Sequence, residues 1–229
     1  MIELQHITRR FQVGDQTVTG LDNVSLQIRP GEYISVMGPS GSGKSTLLNI
    51  LGLLDPPDSG KYFLNDQDTG ALNERELAAL RQQSIGFIFQ AYHLIPRLTA
   101  RENIELPLVL SGMPSAERKT RSDAIIEQMG LADRAHHLPN QLSGGQRQRV
   151  AIGRAIITEP VLLLADEPTG NLDSHSGQEV VKVLESLNAS GLTLLVVTHD
   201  TDMGARAHRR LRMLDGAISE DIRSAHARA

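Results

Sequence analysis

An α/β fold with a parallel sheet at its centre is predicted by three stretches of this sequence. The first is Gly38-Pro39-Ser40-Gly41-Ser42-Gly43-Lys44-Ser45-Thr46, a glycine-rich loop. It follows the apolar residues Tyr33, Ile34, Val36 and Met37, a strand pattern, and precedes Leu47, Leu48, Ile50 and Leu51, the buried face of a helix. The second is Val161-Leu162-Leu163-Leu164-Ala165, a continuous apolar run that marks a strand buried on both faces and stops at Asp166-Glu167-Pro168. The third repeats that design from Leu192 to Val197 and ends at Thr198-His199-Asp200.

The 229 residues suffice for one α/β domain, with or without an inserted subdomain. A hydrophobic content of 40% and a charged content of 22% are those of a globular protein. The net charge of −4 and the 3% of aromatic residues give no reason to expect nucleic acid as a partner. Cysteine is absent, which removes disulfides and thiolate chemistry and fits a reducing compartment. No apolar run approaches the roughly eighteen residues of a membrane span, and Met1 leads into the alternation Ile2, Leu4, Ile7 without a signal peptide. The expected location is therefore cytosolic unless another protein carries the chain to a membrane.

In chain order, residues 1–31 read as short strands of an antiparallel sheet, with a break at Gly14-Asp15 and alternation at Val24, Leu26 and Ile28. Phe11 lies there in a polar setting, either closing the small sheet's core or stacking on a purine. Beyond the glycine loop, Asp55-Pro56-Pro57-Asp58-Ser59-Gly60 is a turn before a strand at Lys61–Leu64. Asn73 with Glu76 starts a helix, and Ile85–Phe89 is a strand ending at Gln90. From Ala91 to about Pro139 the pattern is helical: Thr99 with Glu102 starts one helix, and Ser115 caps another with Ala124, Ile125, Ile126 and Met129 as its apolar face. Strands at Arg210–Leu214 and Ala217–Ser219 flank Asp215-Gly216, and the tail from Asp221 reads as frayed.

Four places carry chemistry. The glycine loop fits G-x-x-x-x-G-K-[ST] in its required strand, loop and helix context. Its amides and the helix N-terminus suit phosphate, with Lys44 reaching the β- and γ-phosphates and the Ser45 hydroxyl holding Mg²⁺. Ser143 before Gly144-Gly145 opens a second helix whose N-terminal amides are either approachable by an anion or simply capped. Asp166 and Glu167 stand at a strand's carboxyl end, where open α/β sheets bind ligands, and point to opposite sides, which suits one to a metal and the other to a water, or they simply end the strand in charge before Pro168. Gln90 and His199 are polar groups just past buried strands, which by position alone suits solvation as well as ligand contact.

Together these motifs resemble the nucleotide-binding subunit of an ATP-binding-cassette (ABC) transporter, over essentially the whole chain. Gly38–Thr46 is similar to the family's Walker A, Gln90 to its Q-loop, Leu142-Ser143-Gly144-Gly145-Gln146 to its signature and Val161–Glu167 to its Walker B. Asn171-Leu172-Asp173 is similar to its D-loop and His199 to its H-loop, all in the family's order. The resemblance implies a P-loop NTPase (RecA-like) core with an antiparallel β subdomain and an inserted α-helical subdomain. As one ABC domain over 1–229, residues 1–90 and 159–229 would form the first two and 91–158 the third.

It also implies an ATPase that uses ATP and Mg²⁺. Lys44 and the loop amides would stabilise the γ-phosphate, and Ser45, Asp166 and Gln90 would position Mg²⁺. Glu167 would activate water, His199 would contact the γ-phosphate and Phe11 would stack on adenine. Two copies would close head to tail on ATP, so that Ser143, Gly144, Gly145 and Gln146 of one cover the nucleotide of the other and Asp173 links the two sites. Arg147 and Arg149 are read as solvated or structural. Phe11 stands where Tyr is commoner, and Gly153 stands in the signature helix where Ala is usual, at about 1 kcal/mol of helix stability.

Met37–Ser40, Ile50–Asp55, Asn103–Leu108 and Asp166–Asp173 are similar to the subgroup serving lipoprotein release and macrolide or peptide export. The expected partner is a separate transmembrane permease, contacted through the helical insert and the segment after Gln90, around Ala91 to Pro107, and the expected place is the cytoplasmic face of the inner membrane, held only through that permease. The alternative is a nucleotide-gated regulator of an envelope complex, like the subgroup's cell-division member. No Asn-Lys-x-Asp guanine-reading stretch favours GTP, and no long coiled-coil insertion favours DNA repair.

Overall fold

The computed structural model describes residues 1–223. The chain opens with two long strands, β1 (Ile2–Val13) and β2 (Gln16–Ile28), paired antiparallel from Ile2 opposite Ile28 to Val13 opposite Gln16. β3 (Tyr33–Met37) leads into the glycine loop and α1 (Lys44–Leu51), whose Leu47, Leu48, Ile50 and Leu51 are buried. β4 (Ser59–Leu64) and β5 (Gln67–Asp68) complete a four-stranded antiparallel sheet in the order β2-β1-β4-β5. α2 (Glu74–Ser84) then enters β6 (Ile85–Phe89), with the Asn73 and Glu76 capping box expected from sequence.

Three helices follow before the next strand: α3 (Ala100–Leu110), α4 (Ser115–Gln128) and α5 (Gly144–Ile156). β7 (Leu162–Asp166), α6 (Ser174–Ala189), β8 (Thr193–Val197), α7 (Thr201–Ala205), β9 (Arg209–Leu214) and β10 (Ala217–Arg223) complete the described chain. The second sheet has the order β10-β9-β3-β8-β7-β6. Its pairs are parallel except for the β9–β10 hairpin.

Burial explains the uninterrupted apolar strands. Leu162 and Leu164 of β7 join the core shared with α1 and the antiparallel sheet, whereas Leu163 and Ala165 join the core under α3, α5 and α6. β8 divides in the same way, Leu195 and Val197 against Leu194 and Val196. Successive side chains point to opposite faces, so a strand covered on both sides is apolar except where a polar group is hydrogen-bonded, as Ser35 is to Gly204 O and Thr193 to the Gly31 amide. Each fully buried Leu or Val contributes roughly 1.5–3 kcal/mol.

Three local expectations are corrected. Ser115 is the first residue of α4 rather than its cap; Pro114 holds the N-cap position without a side-chain hydrogen bond. Ala124 is exposed, and the buried positions of that helix are Ser122 and Ile126, with Met129 just beyond. The tail is not frayed at Asp221, because its carboxylate binds the Arg209 guanidinium through Nε and Nη2, both at 2.7 Å, and holds β10 to β9. The rest of that tail, 224–229, lies outside the described residues.

Gly153 has a reason to lack a side chain. A Cβ there would stand 3.0 Å from Ile125 Cγ2 and 3.2 Å from Ile104 Cδ1, where α4 and α3 close on α5. Gly153→Ala would gain about 1 kcal/mol of helix propensity and lose roughly 1–3 kcal/mol to overpacking. The expected result in thermal unfolding is a melting temperature lower by about 2–4 °C. A rise would mean that Ile104 and Ile125 yield freely.

Candidate ATP-binding and hydrolysis site

The site grows from one row of strand ends. Phe89 is level with Asp166, and Asp166 with Val197, so Gln90, Glu167 and Thr198 follow β6, β7 and β8 side by side. Val36 pairs with Val197, which sets Met37 and the glycine loop at the next place. Strands about 4.8 Å apart thus bring four chemically distinct ends within roughly 14 Å.

The loop is shaped for an anion. Gly43 is the N-cap of α1 at φ 98°, a left-handed conformation that favours glycine, and no side chain caps the helix. The first amides of α1 therefore stay available to a ligand. Ser42 is buried and its Oγ has no hydrogen-bond partner among the described residues. Lys44 Nζ donates to the carbonyls of Gly38 (2.9 Å) and Pro39 (2.8 Å), so the cation already lies folded over the loop. An unpaired hydroxyl, free helix amides and a poised ammonium suit phosphate oxygens. Ser40, Gly41, Ser45 and Thr46 complete the same turn and first helical residues.

Three distant segments hold this loop. The Gly216 amide donates to Ser42 O at 3.1 Å, and the Asp22 amide donates to Gly216 O at 2.9 Å. Gly20 of β2 passes so close that a Cβ on it would lie 2.6 Å from the Phe11 ring and 2.9 Å from Thr46 Oγ1. Phe11 is half-buried, belongs to neither core, and has the Arg9 guanidinium 5.0 Å from its ring centroid. The core alternative for Phe11 is corrected: its half-buried ring belongs to neither core and packs on Gly20 beside Thr46 at the loop's edge.

Asp166 and Glu167 end β7. Burial raises the Asp166 carboxyl above its ordinary value, the neighbouring Glu167 charge adds to the rise, and Lys44 opposes it. A carboxylate so placed is relieved by a cation. Among the described residues no group of three or more His, Cys, Asp or Glu could hold a metal by itself. Mg²⁺ does not need one, since it is bound through one or two carboxylates with phosphates and water. Ser45 and Asp166 fit that donor set.

Glu167 sits at φ 48°, uncommon for a residue with a side chain, and its amide donates to Val197 O at 2.9 Å. Its Oε1 is 2.8 Å from His199 Nδ1, and its Oε2 accepts from Thr198 Oγ1 at 3.3 Å. The hydrogen bond and charge of Glu167 raise the His199 pKa above 6.5. The pair therefore contributes fully below the ordinary histidine value and is lost as pH rises through the raised one. In an NMR titration the His199 ring is expected to titrate above pH 6.5 and to fall back toward it in Glu167→Gln. Equal midpoints in both proteins would mean that the contact does not form in solution.

Gln90 is engaged with the segment after Glu167, against Asn171 and Gly170. Its backbone oxygen accepts from Asn171 Nδ2 at 2.9 Å, and its side-chain amide meets Asn171 Oδ1 at 3.4 Å. Ser143 and Gln146 form a reciprocal capping box at the start of α5. Gly144 packs against Leu172 and the Tyr92 hydroxyl, and Gly145 against Ser176. No hydrogen bond among the described residues joins Ser143–Gln146 to the glycine loop. Asp173 caps α6 by accepting from the Ser176 amide at 3.0 Å, which lowers its pKa. Arg149 pairs with Glu179 at 2.7 Å and Arg147 lies over Tyr92, as expected of structural arginines.

Sequence reasoning missed the polar residues that tie these parts together. Gln148, fully buried, donates to Pro168 O beside Glu167 at 2.8 Å. Arg154 donates to Tyr92 O and His93 O at 2.8 and 2.6 Å, holding the segment after Gln90. Asn103 donates to Ile95, Leu98 and Thr99 carbonyls and accepts from the Ile95 amide. Their only signal was a polar side chain in an apolar helical stripe.

Residues 21–170 match the family model of the ABC transporter. The chain belongs to the ABC transporter family. The cassette is 48% identical to the ABC transporter ATP-binding protein YknY of Bacillus subtilis, over 95% of each chain. It is 50% identical over 221 residues to the macrolide export ATP-binding/permease protein MacB of Marinobacter nauticus, covering 96% of this chain and 34% of that protein. The chain thus spans about a third of the length of the MacB relatives it matches. Among solved structures, the cassette superposes with a TM-score of 0.89 at 42% identity on the ATP-binding cassette MJ0796, over 97% of this chain and 98% of that one. That structure is described as a dimeric post-hydrolysis state bound to ADP and Pi. The ABC cassette fold expected from sequence, a P-loop NTPase with an antiparallel β subdomain and a helical subdomain, is the fold observed.

Proposed function

We propose that this cassette hydrolyses ATP to power a membrane permease of the macrolide or lipoprotein export type. One observation carries the reading: the strand-end row supplies phosphate cradle, carboxylates and histidine, while Ser143–Gln146 caps a helix that turns to Leu172 and Ser176 instead. A second copy supplies the cover. The ADP- and Pi-bound MJ0796 dimer supports that arrangement.

ATP enters with its phosphates on the amides of Gly38–Thr46, and Lys44 exchanges its two carbonyl partners for phosphate oxygens. Phe11 stacks on the adenine. Ser45 and Asp166 would hold Mg²⁺, joined by Gln90 once its side chain leaves Asn171, and the ion would supply positive charge against the phosphates. Glu167 takes the proton of the attacking water as general base. His199, 76% exposed, keeps its other nitrogen free for the γ-phosphate. Ser143, Gly144, Gly145 and Gln146 of the second copy close the nucleotide in, and Asp173 lies near that seam. Closing excludes water and couples hydrolysis to dimer opening.

Among the described residues no helix is long and apolar enough to cross a membrane, so the spanning part is another segment or chain. A cavity of about 550 Å³ lined by Phe89, His93, Leu106, Pro107, Leu110 and Arg154 suits a permease helix. Leu110 is 73% exposed beside it. The cassette then works on the cytoplasmic face of the membrane. Isolation of the complex in native-like membranes is the test, with ATP-dependent movement or extraction of a macrolide, lipoprotein or peptide expected. Normal ATP turnover with none of these would replace the exporter with the nucleotide-gated regulator.

A further inference from the structure

Glu167 stands in a conformation that its neighbours in sequence oppose. A φ of 48° is uncommon for a residue with a side chain, and the proline that follows pushes the residue before it toward extended backbone. Such a conformation persists only where the surrounding structure over-determines it. Three hydrogen bonds hold this one. The Glu167 amide donates to Val197 O at 2.9 Å, the Gly170 amide donates to Glu167 O at 3.0 Å, and Gln148 Nε2 donates to Pro168 O at 2.8 Å. The first two come from β8 and from the turn itself, whereas the third reaches in from α5.

Gln148 makes that bond at a cost. It is fully buried, and its Oε1 has no hydrogen-bond partner among the described residues. Turning the amide over would set its oxygen against the Pro168 oxygen, so the donor end must face the turn. A methionine there would strand no acceptor and would suit the helix equally well. What glutamine adds is one donor aimed at one carbonyl, that of the buried residue next to Glu167.

The carboxylate depends on that backbone. Its two oxygens meet His199 Nδ1 at 2.8 Å and Thr198 Oγ1 at 3.3 Å, both groups following β8. The place of the turn relative to the end of β8 therefore decides where the carboxylate points.

We propose that Gln148 is a positioning residue for hydrolysis: its hydrogen bond to Pro168 O holds the turn that presents the Glu167 carboxylate to the attacking water. The proposal rests on the reading of Glu167 as general base, and Gln148 acts only through it.

The test is Gln148→Met, which keeps the length of the side chain and removes the donor, measured as phosphate release by the full chain. kcat should fall about tenfold or more while KM for ATP stays within about twofold, because the cradle of Gly38–Thr46 follows another strand. In the Glu167→Gln background the same change should cost less than about twofold, since no base is left to aim. Read by NMR without ATP, the His199 ring should titrate closer to 6.5 than in the wild type as Glu167 turns away. Gln148→Asn, whose amide falls one methylene short of Pro168 O, should give the same pattern and serves if the methionine variant does not fold. Wild-type kcat in a folded variant, an equal fold-loss with and without Glu167, or an unchanged His199 midpoint would overturn the proposal alone. Near-wild-type turnover in Glu167→Gln would overturn the reading of Glu167 and the proposal with it.

Discussion

Glu167→Gln is expected to bind ATP as the wild type does, to lose turnover by about 10²–10⁴-fold, and to accumulate as a dimer in ATP. The amide cannot take a proton from water, whereas the phosphate cradle of Gly38–Thr46 and Lys44 lies on another strand end and is untouched. The side chain keeps its size, so the unusual backbone at φ 48° and the contact with Thr198 impose no new strain. In the proposed cycle hydrolysis opens the pair, so blocking it should leave the closed form populated. Size-exclusion chromatography with ATP, alongside phosphate release, reads both effects. A monomer that still hydrolyses ATP near the wild-type rate would remove Glu167 from the role of base.

Mixing two inactive variants gives the second large effect. Ser143→Arg places a long cation where the cover must lie, and Lys44→Ala removes the cradle's ammonium; each alone should reduce turnover by about 10²-fold or more. In the mixed dimer one site keeps both its own Lys44 and the partner's Ser143. Activity should therefore return on mixing, up to roughly a quarter of the wild-type rate if subunits pair at random and sites act independently. No recovery at any ratio would count against a site shared between copies. Ser143 is bonded within its own capping box rather than to the loop of its own chain, which is what makes this result distinctive.

Much of this was legible because its causes are local. The helix starts at Asn73, Thr99 and Ser143 need only a residue and its third neighbour, and all three form capping boxes. Ser115 failed the same rule because Pro114 takes the extended N-cap conformation, leaving the serine inside the first turn. The strands ending at Gln90, Asp166 and His199 were legible from unbroken apolar runs. Phe11 was not settled by its neighbours in sequence, since its place depends on Gly20 and Thr46. Gln148, Asn103 and Arg154 stayed hidden because the carbonyls they serve lie elsewhere in the chain, and Asp221 misled because Arg209 holds it.

The clasp of Ser42 by Gly216, itself held by Asp22, sets a timetable for synthesis. The hairpin that fixes the shape of the phosphate loop is made well after the loop itself, since Gly216 follows Ser42 in the chain. Such long-range closure is slow relative to local helix formation. Until Gly216 has been made, the loop lacks the hydrogen bond that closes it. The loop reaches its described shape only when β9 and β10 dock beside it.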